Sequence, residues 1–200
     1  RSGLLREEAG TEGWFEFFHA MLQEAVYADL RPRKRELLHR EAGMALEEMH
    51  GDSLDEAIDD LAYHFAGAGV VPKAVSYLKM SGSRALQACA YSHAMLCYQE
   101  TLVMASGYDH GLRGPDCGNL VDSEFLSDYA NALLCCDRIC DAAEQCESAV
   151  RIAEADAPGT RARALRTRGK VLVALRGYDE AERDLADSLR IYQDIGDTAS

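Results

Sequence analysis

The stretch RTRGKVLVALRGYDEAERDLADSLRIY, residues 166–192, contains the pattern that decides the fold. A small residue, Gly169, is followed by an aromatic, Tyr178, and then by a second small residue, Ala181. Apolar residues recur around them at the spacing of three and four that an α-helix requires. A break at Arg176–Gly177 separates two such runs, so the stretch predicts two helices joined by a tight turn.

The same order of small and aromatic residues recurs upstream. The matching small residues are Ala62, Ala74, Gly82, Ala94, Ala130, Ala142 and Ala149. Ala74 and Ala94 are 20 residues apart, the next interval, to Ala142, is 48 residues, and the last, to Ala181, is 39. Recurring small residues are typical of helices that cross closely. The pattern of small residues therefore predicts antiparallel helix pairs that stack around a continuous core.

This pattern resembles the tetratricopeptide (TPR) repeat. In that family a small residue lets the first helix approach the second, an aromatic closes the turn, and another small residue lies where the helices cross. A regular TPR repeats every 34 residues, and the intervals here differ from that value. The resemblance implies a mainly α-helical, divergent TPR-like solenoid.

Composition and charge restrict the classes of function. Of 200 residues, 48% are apolar and 28% are charged, which is typical of soluble globular proteins. The formal net charge of −13 argues against a nucleic-acid surface and against contact with anionic lipid, since both need a basic face. No apolar run approaches the roughly 20 residues of a membrane span. The odd number of cysteines, 7, favours a reducing, cytoplasmic compartment.

The sequence divides into four predicted regions. Residues 1–31 predict a short β-hairpin that leads into a helix, because GLLREE and WFEFF are strand-prone on either side of a glycine-rich turn. A helix that starts at Trp14 is the alternative. Residues 32–106 and 121–200 predict helical repeats, and residues 107–120 predict a glycine-rich loop or insertion. Because the chain begins at Arg1, we expect it to be part of a longer protein.

Two details of the first repeat helices are predicted. The buried stripe of the helix that begins at Pro32 consists of Leu37, Leu38, Ala42, Ala45, Leu46 and Met49. Ser53 and Glu56 are expected to form a capping box for the next helix. The acidic run DSLDEAIDD is therefore interpreted as a helix start, where the helix dipole favours carboxylates, and not as a catalytic cluster.

The segment from Phe15 to Leu102, with FEFFHAMLQEAVYADL at its start and LAYHFAGAG in its middle, carries a second resemblance. It resembles part of STAND-type signalling ATPases, which include bacterial multidomain adenylate/guanylate cyclases and LuxR-type transcriptional regulators. The resemblance implies that residues 1–31 are the end of a winged-helix domain and that ATP or ADP binds in the parent protein. No Walker A motif occurs in this chain, so no cofactor is expected here.

His19 is the candidate site residue of the N-terminal region. It lies at a predicted helix start, where backbone N–H groups and the helix dipole favour an anion. The STAND resemblance implies that His19 contacts the β-phosphate of a nucleotide held by an upstream ATPase domain. The alternative is a partly buried histidine that hydrogen-bonds to the backbone at a strand-to-helix corner.

The TPR resemblance also implies a protein-binding groove lined by the first helix of each repeat. The candidate residues are Ser127, Asn131, Leu134, Arg166, Lys170 and Val173. They would contact a protein or peptide partner, or another domain of the same parent chain. An ordinary solvated surface is the alternative.

No metal site and no catalytic residues are predicted. Cys136 and Cys140 are one helical turn apart, but no histidine lies near them at ligand spacing, and Cys146 fits a helix contact. His64 and His93 are interpreted as helix-surface or interface residues. The sequence offers no Ser/His/Asp or Cys/His arrangement with a supporting context.

The leading hypothesis is a non-enzymatic TPR-like interaction and regulatory module of a larger STAND-type ATPase. The alternative is a free-standing TPR adaptor that binds a peptide in its groove. A third reading, a fragment with residual adenylate cyclase activity, lacks the residues for that chemistry.

Overall fold

The computed structural model describes most of the chain. The described residues are 5–7, 15–17, 20–51, 53–107 and 120–196. The anion contact expected of His19 and most of the predicted loop at 107–120 fall outside these ranges.

Nine α-helices occupy most of the described residues. They are α1 (Ala20–Asp29), α2 (Pro32–His50), α3 (Ile58–Gly67), α4 (Val71–Gln87), α5 (Tyr91–Gly107), α6 (Ser123–Cys135), α7 (Ile139–Ala153), α8 (Pro158–Ala174) and α9 (Tyr178–Asp194). A 3-10 turn, Leu54–Glu56, precedes α3. Ahead of α1, strands β1 (Leu5–Glu7) and β2 (Phe15–Phe17) pair antiparallel, with Leu5 opposite Phe17.

Each helix from α2 to α9 packs against the next one along the chain. Helix α6 also contacts α4 and α8, so these three helices form one layer, and α5, α7 and α9 pack against them in turn. Helices joined by turns of a few residues must run antiparallel. The predicted mainly helical fold with packed neighbouring helices is confirmed.

Four of the turns between helices share one backbone conformation. Gly69, Cys89, Asp137 and Arg176 each have a left-handed conformation, with φ between 58° and 66°. The N–H of the residue after each of them donates to a carbonyl five residues earlier, at 2.8–3.0 Å. This is the Schellman motif, which ends a helix and reverses the chain. The same turn therefore ends α3, α4, α6 and α8.

Small residues occupy the helix crossings, as the sequence predicted. The seven alanines of the pattern, Ala62, Ala74, Ala94, Ala130, Ala142, Ala149 and Ala181, are all buried. At Gly82 a Cβ atom would lie 2.6 Å from the Tyr98 ring, and at Gly169 it would lie 2.8 Å from the Leu185 side chain. Neighbouring helices therefore approach at positions where a larger side chain has no room.

Of two predictions about the first repeat helices, the capping box is wrong, and the buried stripe holds in part, since Leu46 packs half-buried against the core. On α2 the buried residues are His39 and Gly43, whereas Leu37 and Met49 are exposed. Helix α2 packs on α3, and one neighbouring helix covers only a narrow stripe. The expected capping box is also absent at the start of α3, because Ser53 makes no side-chain cap bond and its neighbours form the 3-10 turn.

A methyl group added at Gly82 tests the close crossing of α4 and α5. We expect Gly82→Ala to lower the free energy of unfolding by about 1–3 kcal/mol, because the new Cβ overlaps the buried Tyr98 ring. Gly107→Ala is the matched control, since no atom of the described residues lies within 4 Å of a Cβ there. Urea denaturation of both variants measures the difference, and equal stability would contradict the crossing.

Candidate functional site

A groove of about 580 Å³ lies along helices α3 and α5, with α4 at its base. Helix α3 contributes Asp59 and Tyr63, which are four residues apart and so lie on one face. Helix α5 contributes residues 93, 96, 97, 100, 103 and 104, again at helical spacing. The packing of α3, α4 and α5 thus turns two separate helix faces into the two walls of one groove.

The walls of this groove carry exposed apolar side chains. Tyr63 is 60% exposed, Leu96 is 57% exposed and Val103 is 65% exposed. The opposite face of α5 is also apolar, because Ala94 and Tyr98 are buried in the core. Helix α5 therefore has apolar side chains on two faces, and only one of them is covered within the described chain.

A polar cluster at the base of the groove joins α3, α4 and α5. The Ser81 hydroxyl donates to Asp59 Oδ1 at 2.5 Å, and Arg84 Nη2 lies 2.6 Å from Asp59 Oδ2. His93 Nε2 is 3.2 Å from Ser81 Oγ. Burial raises the pKa of Asp59, but the Ser81 hydrogen bond and the charge of Arg84 outweigh it, so the net pKa lies below the usual value.

The thiol of Cys97 belongs to the same cluster. Its Sγ is 3.3 Å from Ser81 Oγ and 3.7 Å from His93 Nε2. Burial raises the pKa of Cys97, so the thiol form is favoured over the nucleophilic thiolate. The Ser81 proton points to Asp59, whereas an activated serine gives its proton to a histidine. The geometry is that of a hydrogen-bonded link between helices.

A pair of histidines closes the groove towards α2. His39 Nδ1 lies 3.2 Å from His64 Nδ1, and His39 Nε2 lies 2.8 Å from the Tyr27 hydroxyl. His39 is buried against Gly67, where a Cβ would come within 2.8 Å of its ring. Burial, and then the neighbouring His39, lowers the pKa of His64, while Asp60 opposes this effect.

The six residues predicted for a groove on the first helix of each repeat lie on α6 and α8, apart from the groove just described. Ser127 is buried, and its hydroxyl donates to the Ser123 carbonyl at 2.8 Å, so its side chain is not part of an exposed surface. Asn131 and Leu134 are half-buried, as is Arg166. Lys170 and Val173 are exposed. Partner binding by these residues stays a prediction.

A charged contact joins α6 to α8 beside those residues. Arg163 of α8 forms ion pairs with Glu124 and Asp128 of α6. Burial raises the pKa of Asp128 even though Arg163 lies against it. On the same helix, the Arg166 guanidinium lies 5.9 Å from the centre of the Tyr192 ring. These arginines are engaged within the fold, which leaves Lys170 as the exposed cation of the predicted set.

Sequence reasoning missed three residues of the α3–α5 groove. Asp59 was assigned to a helix start, Ser81 was given no role in a site, and His39 was not singled out. His64 and His93, interpreted as surface or interface residues, are half-buried and exposed, respectively. The spacing of Asp59 and Tyr63 on one helix face was the available signal. The position of Ser81 of α4 beside Asp59, however, depends on tertiary packing.

Comparisons with known proteins identify no family for this chain. It matches no protein-family profile and no curated protein. It is similar to the crystal structure of BtubC (BKLC) from P. vanneervenii, with 19% identity and a TM-score of 0.47. The match covers 84% of this chain and 60% of that one. The chain thus spans less than two thirds of the neighbour, and a similarity this distant indicates no shared function.

The described residues contain neither a candidate membrane span nor a candidate metal site. No helix in the described ranges has the length and apolar character needed to cross a bilayer. Within the same residues, no three side chains of the His, Cys, Asp or Glu type come together as ligands for a metal ion.

The histidine pair predicts a specific pH dependence of stability. The unfolded chain protonates His64 near its ordinary pKa of 6.5, whereas the folded chain does so at lower pH. The unfolded state therefore binds more protons below about pH 6.5, and stability falls as the pH is lowered. We expect this loss between about pH 7.5 and about pH 5.5 to be smaller in His64→Gln than in the wild type.

Urea denaturation at both pH values measures the loss. His50→Gln is the control, because His50 lies 11 residues from His39 along α2, or roughly 16 Å. The control should keep the wild-type dependence. An unchanged dependence in His64→Gln would show that His64 does not cause it.

Proposed function

We propose that the chain is a non-enzymatic helical-repeat module that binds a protein or peptide partner in the α3–α5 groove. The observation that carries the proposal is the exposure of Tyr63, Leu96 and Val103 along one groove. Single exposed apolar residues are common on soluble proteins, but a contiguous set in a concavity marks interaction sites. The buried thiol and the Ser81–Asp59 bond speak against catalysis in this groove.

The charge around the groove indicates the chemistry of the partner. Asp59 and Glu100 lie among the groove residues, and the whole chain has a formal net charge of −13. A partner with basic residues would be attracted, and an apolar face would cover the three exposed side chains. A basic amphipathic helix combines both features and fits between two helices.

We further propose that the helical repeats are of the TPR type. It is supported by the buried alanines at the helix crossings, by the tight approaches at Gly82 and Gly169, and by the recurring Schellman turns. In TPR proteins the first helices line the binding groove, so Lys170 and Val173 of α8 remain a second candidate surface.

The place of the chain in a larger protein follows from the STAND resemblance. We propose that residues 1–31 are the end of a winged-helix domain and that the repeats regulate an upstream ATPase in the cytoplasm. A partner bound by the repeats would then shift the equilibrium between resting and active states of that ATPase. His19 would sense the nucleotide phosphate, and a cyclase or a transcriptional regulator domain would provide the output.

Selection of peptides tests the groove. The purified chain is used to select from a displayed library of helical peptides, and we expect basic amphipathic helices to be enriched. Val103→Asp should weaken binding of the selected peptides at least tenfold, which is about 1.4 kcal/mol. Val173→Asp is the matched control, because it makes the same change at an exposed position on α8. Loss of binding in the control alone would contradict binding in the α3–α5 groove and would show that the peptides bind at the α6–α8 surface.

Nucleotide titration tests the proposal that ATP or ADP binds to a different domain of the parent protein. We expect no binding of ATP or ADP to the chain alone by isothermal calorimetry, because its sequence contains no Walker A motif. Micromolar binding would contradict the assignment of the nucleotide to another part of the parent protein.

A further inference from the structure

A second concavity, of about 510 Å³, lies at one end of the helices between two neighbouring turns. One turn joins α4 to α5 and contains Cys89, and the other joins α6 to α7 and begins after Cys135. Cys89, Cys135 and Cys136 all line this concavity. It therefore brings together three free thiols from two parts of the chain that are more than 40 residues apart.

The thiols differ in their surroundings. Cys89 and Cys135 are exposed, whereas Cys136 is half-buried, and its Sγ lies 4.0 Å from Ser92 Oγ. Tyr91 lines the same concavity as the two exposed thiols, and interaction with Cys89, and then with Cys135, raises the pKa of its phenol. Both exposed thiols are accessible to a solvent oxidant, and both line the same concavity.

We propose that Cys89 and Cys135 form a redox-sensitive dithiol, which a hydroperoxide converts into a disulfide across the two turns. In the first step a thiol sulfur attacks the peroxide, the O–O bond breaks, and a sulfenic acid and water (or an alcohol) form. In the second step the other sulfur attacks the sulfenic sulfur, the S–O bond breaks, and water leaves with the remaining thiol proton. The two thiols lose two electrons, and the peroxide gains them.

Two features of the fold favour this pairing over the others. Cys135 and Cys136 are adjacent in sequence, so a bond between them would close a small strained ring within a helix end. Cys140, although exposed, is not among the residues that line the concavity. The pair Cys89–Cys135 links the α4–α5 turn to the last residue of α6, and the backbone at a helix end has more freedom to adjust than it has in a helix interior.

Peptide mapping of the full chain tests the proposal. The reduced chain is treated with hydrogen peroxide under native conditions, free thiols are blocked with N-ethylmaleimide, and disulfides are located by tandem mass spectrometry. We expect one intramolecular bond, between Cys89 and Cys135, and five of the seven thiols left free. A bond between any other pair, a dimer linked by a disulfide, or stepwise oxidation to sulfonic acid without a bond would overturn the proposal.

Serine variants give an independent readout. Cys89→Ser and Cys135→Ser should each abolish the disulfide, whereas Cys140→Ser should form it as the wild type does. The oxidised wild type should unfold at least about 5 °C higher than the reduced protein, since the bond closes a long loop. Circular dichroism before oxidation verifies that each variant is folded. Retention of the disulfide in Cys135→Ser would overturn the assignment even if Cys89 takes part.

Discussion

The close approach of helix backbones at small residues is the constraint on which the structure depends. Gly82 accommodates the Tyr98 ring and Gly169 accommodates Leu185, with less space than a single methyl group would need. Fully buried alanines occupy the other crossings. Contacts this tight fix the position of one helix on the next, because sliding by one residue would bring a side chain into the space of a backbone.

Fixed crossings let polar groups meet across helices at hydrogen-bond distance. Arg168 Nε lies 2.6 Å from Asp184 Oδ2, and its Nη2 lies 2.8 Å from Asp184 Oδ1, which joins α8 to α9 in a bidentate pair. Ser81 and Asp59 join α4 to α3 in a similar way. These charged groups thus join neighbouring helices, while large apolar side chains of α3 and α5 stay exposed within the described part of the chain. This distribution creates the apolar groove.

The sequence predicted those parts of the fold that depend on local spacing. The helices, the two-helix pattern around Gly169 and the burial of alanines such as Ala142 all follow from intervals of three and four residues. The buried face of α2 did not follow, since it depends on which neighbour covers that helix. There the small Gly43 and the polar His39 are buried while Leu37 and Leu38 are exposed. The groove was missed for the same reason, because its polar base combines Asp59, Ser81 and His93 from three helices.

The recurring turn has a chemical consequence of its own. Because consecutive helices run in opposite directions, the turns that contain Cys89, Asp137 and Arg176 lie along one edge of the stack, while Gly69 lies on the other edge. A left-handed backbone costs a non-glycine residue about 1 kcal/mol, and each of these three turns bears that cost. The edge thereby displays a thiol, a carboxylate and a guanidinium on one repeated backbone. Its chemistry can change from one repeat to the next while the helices behind it stay in place.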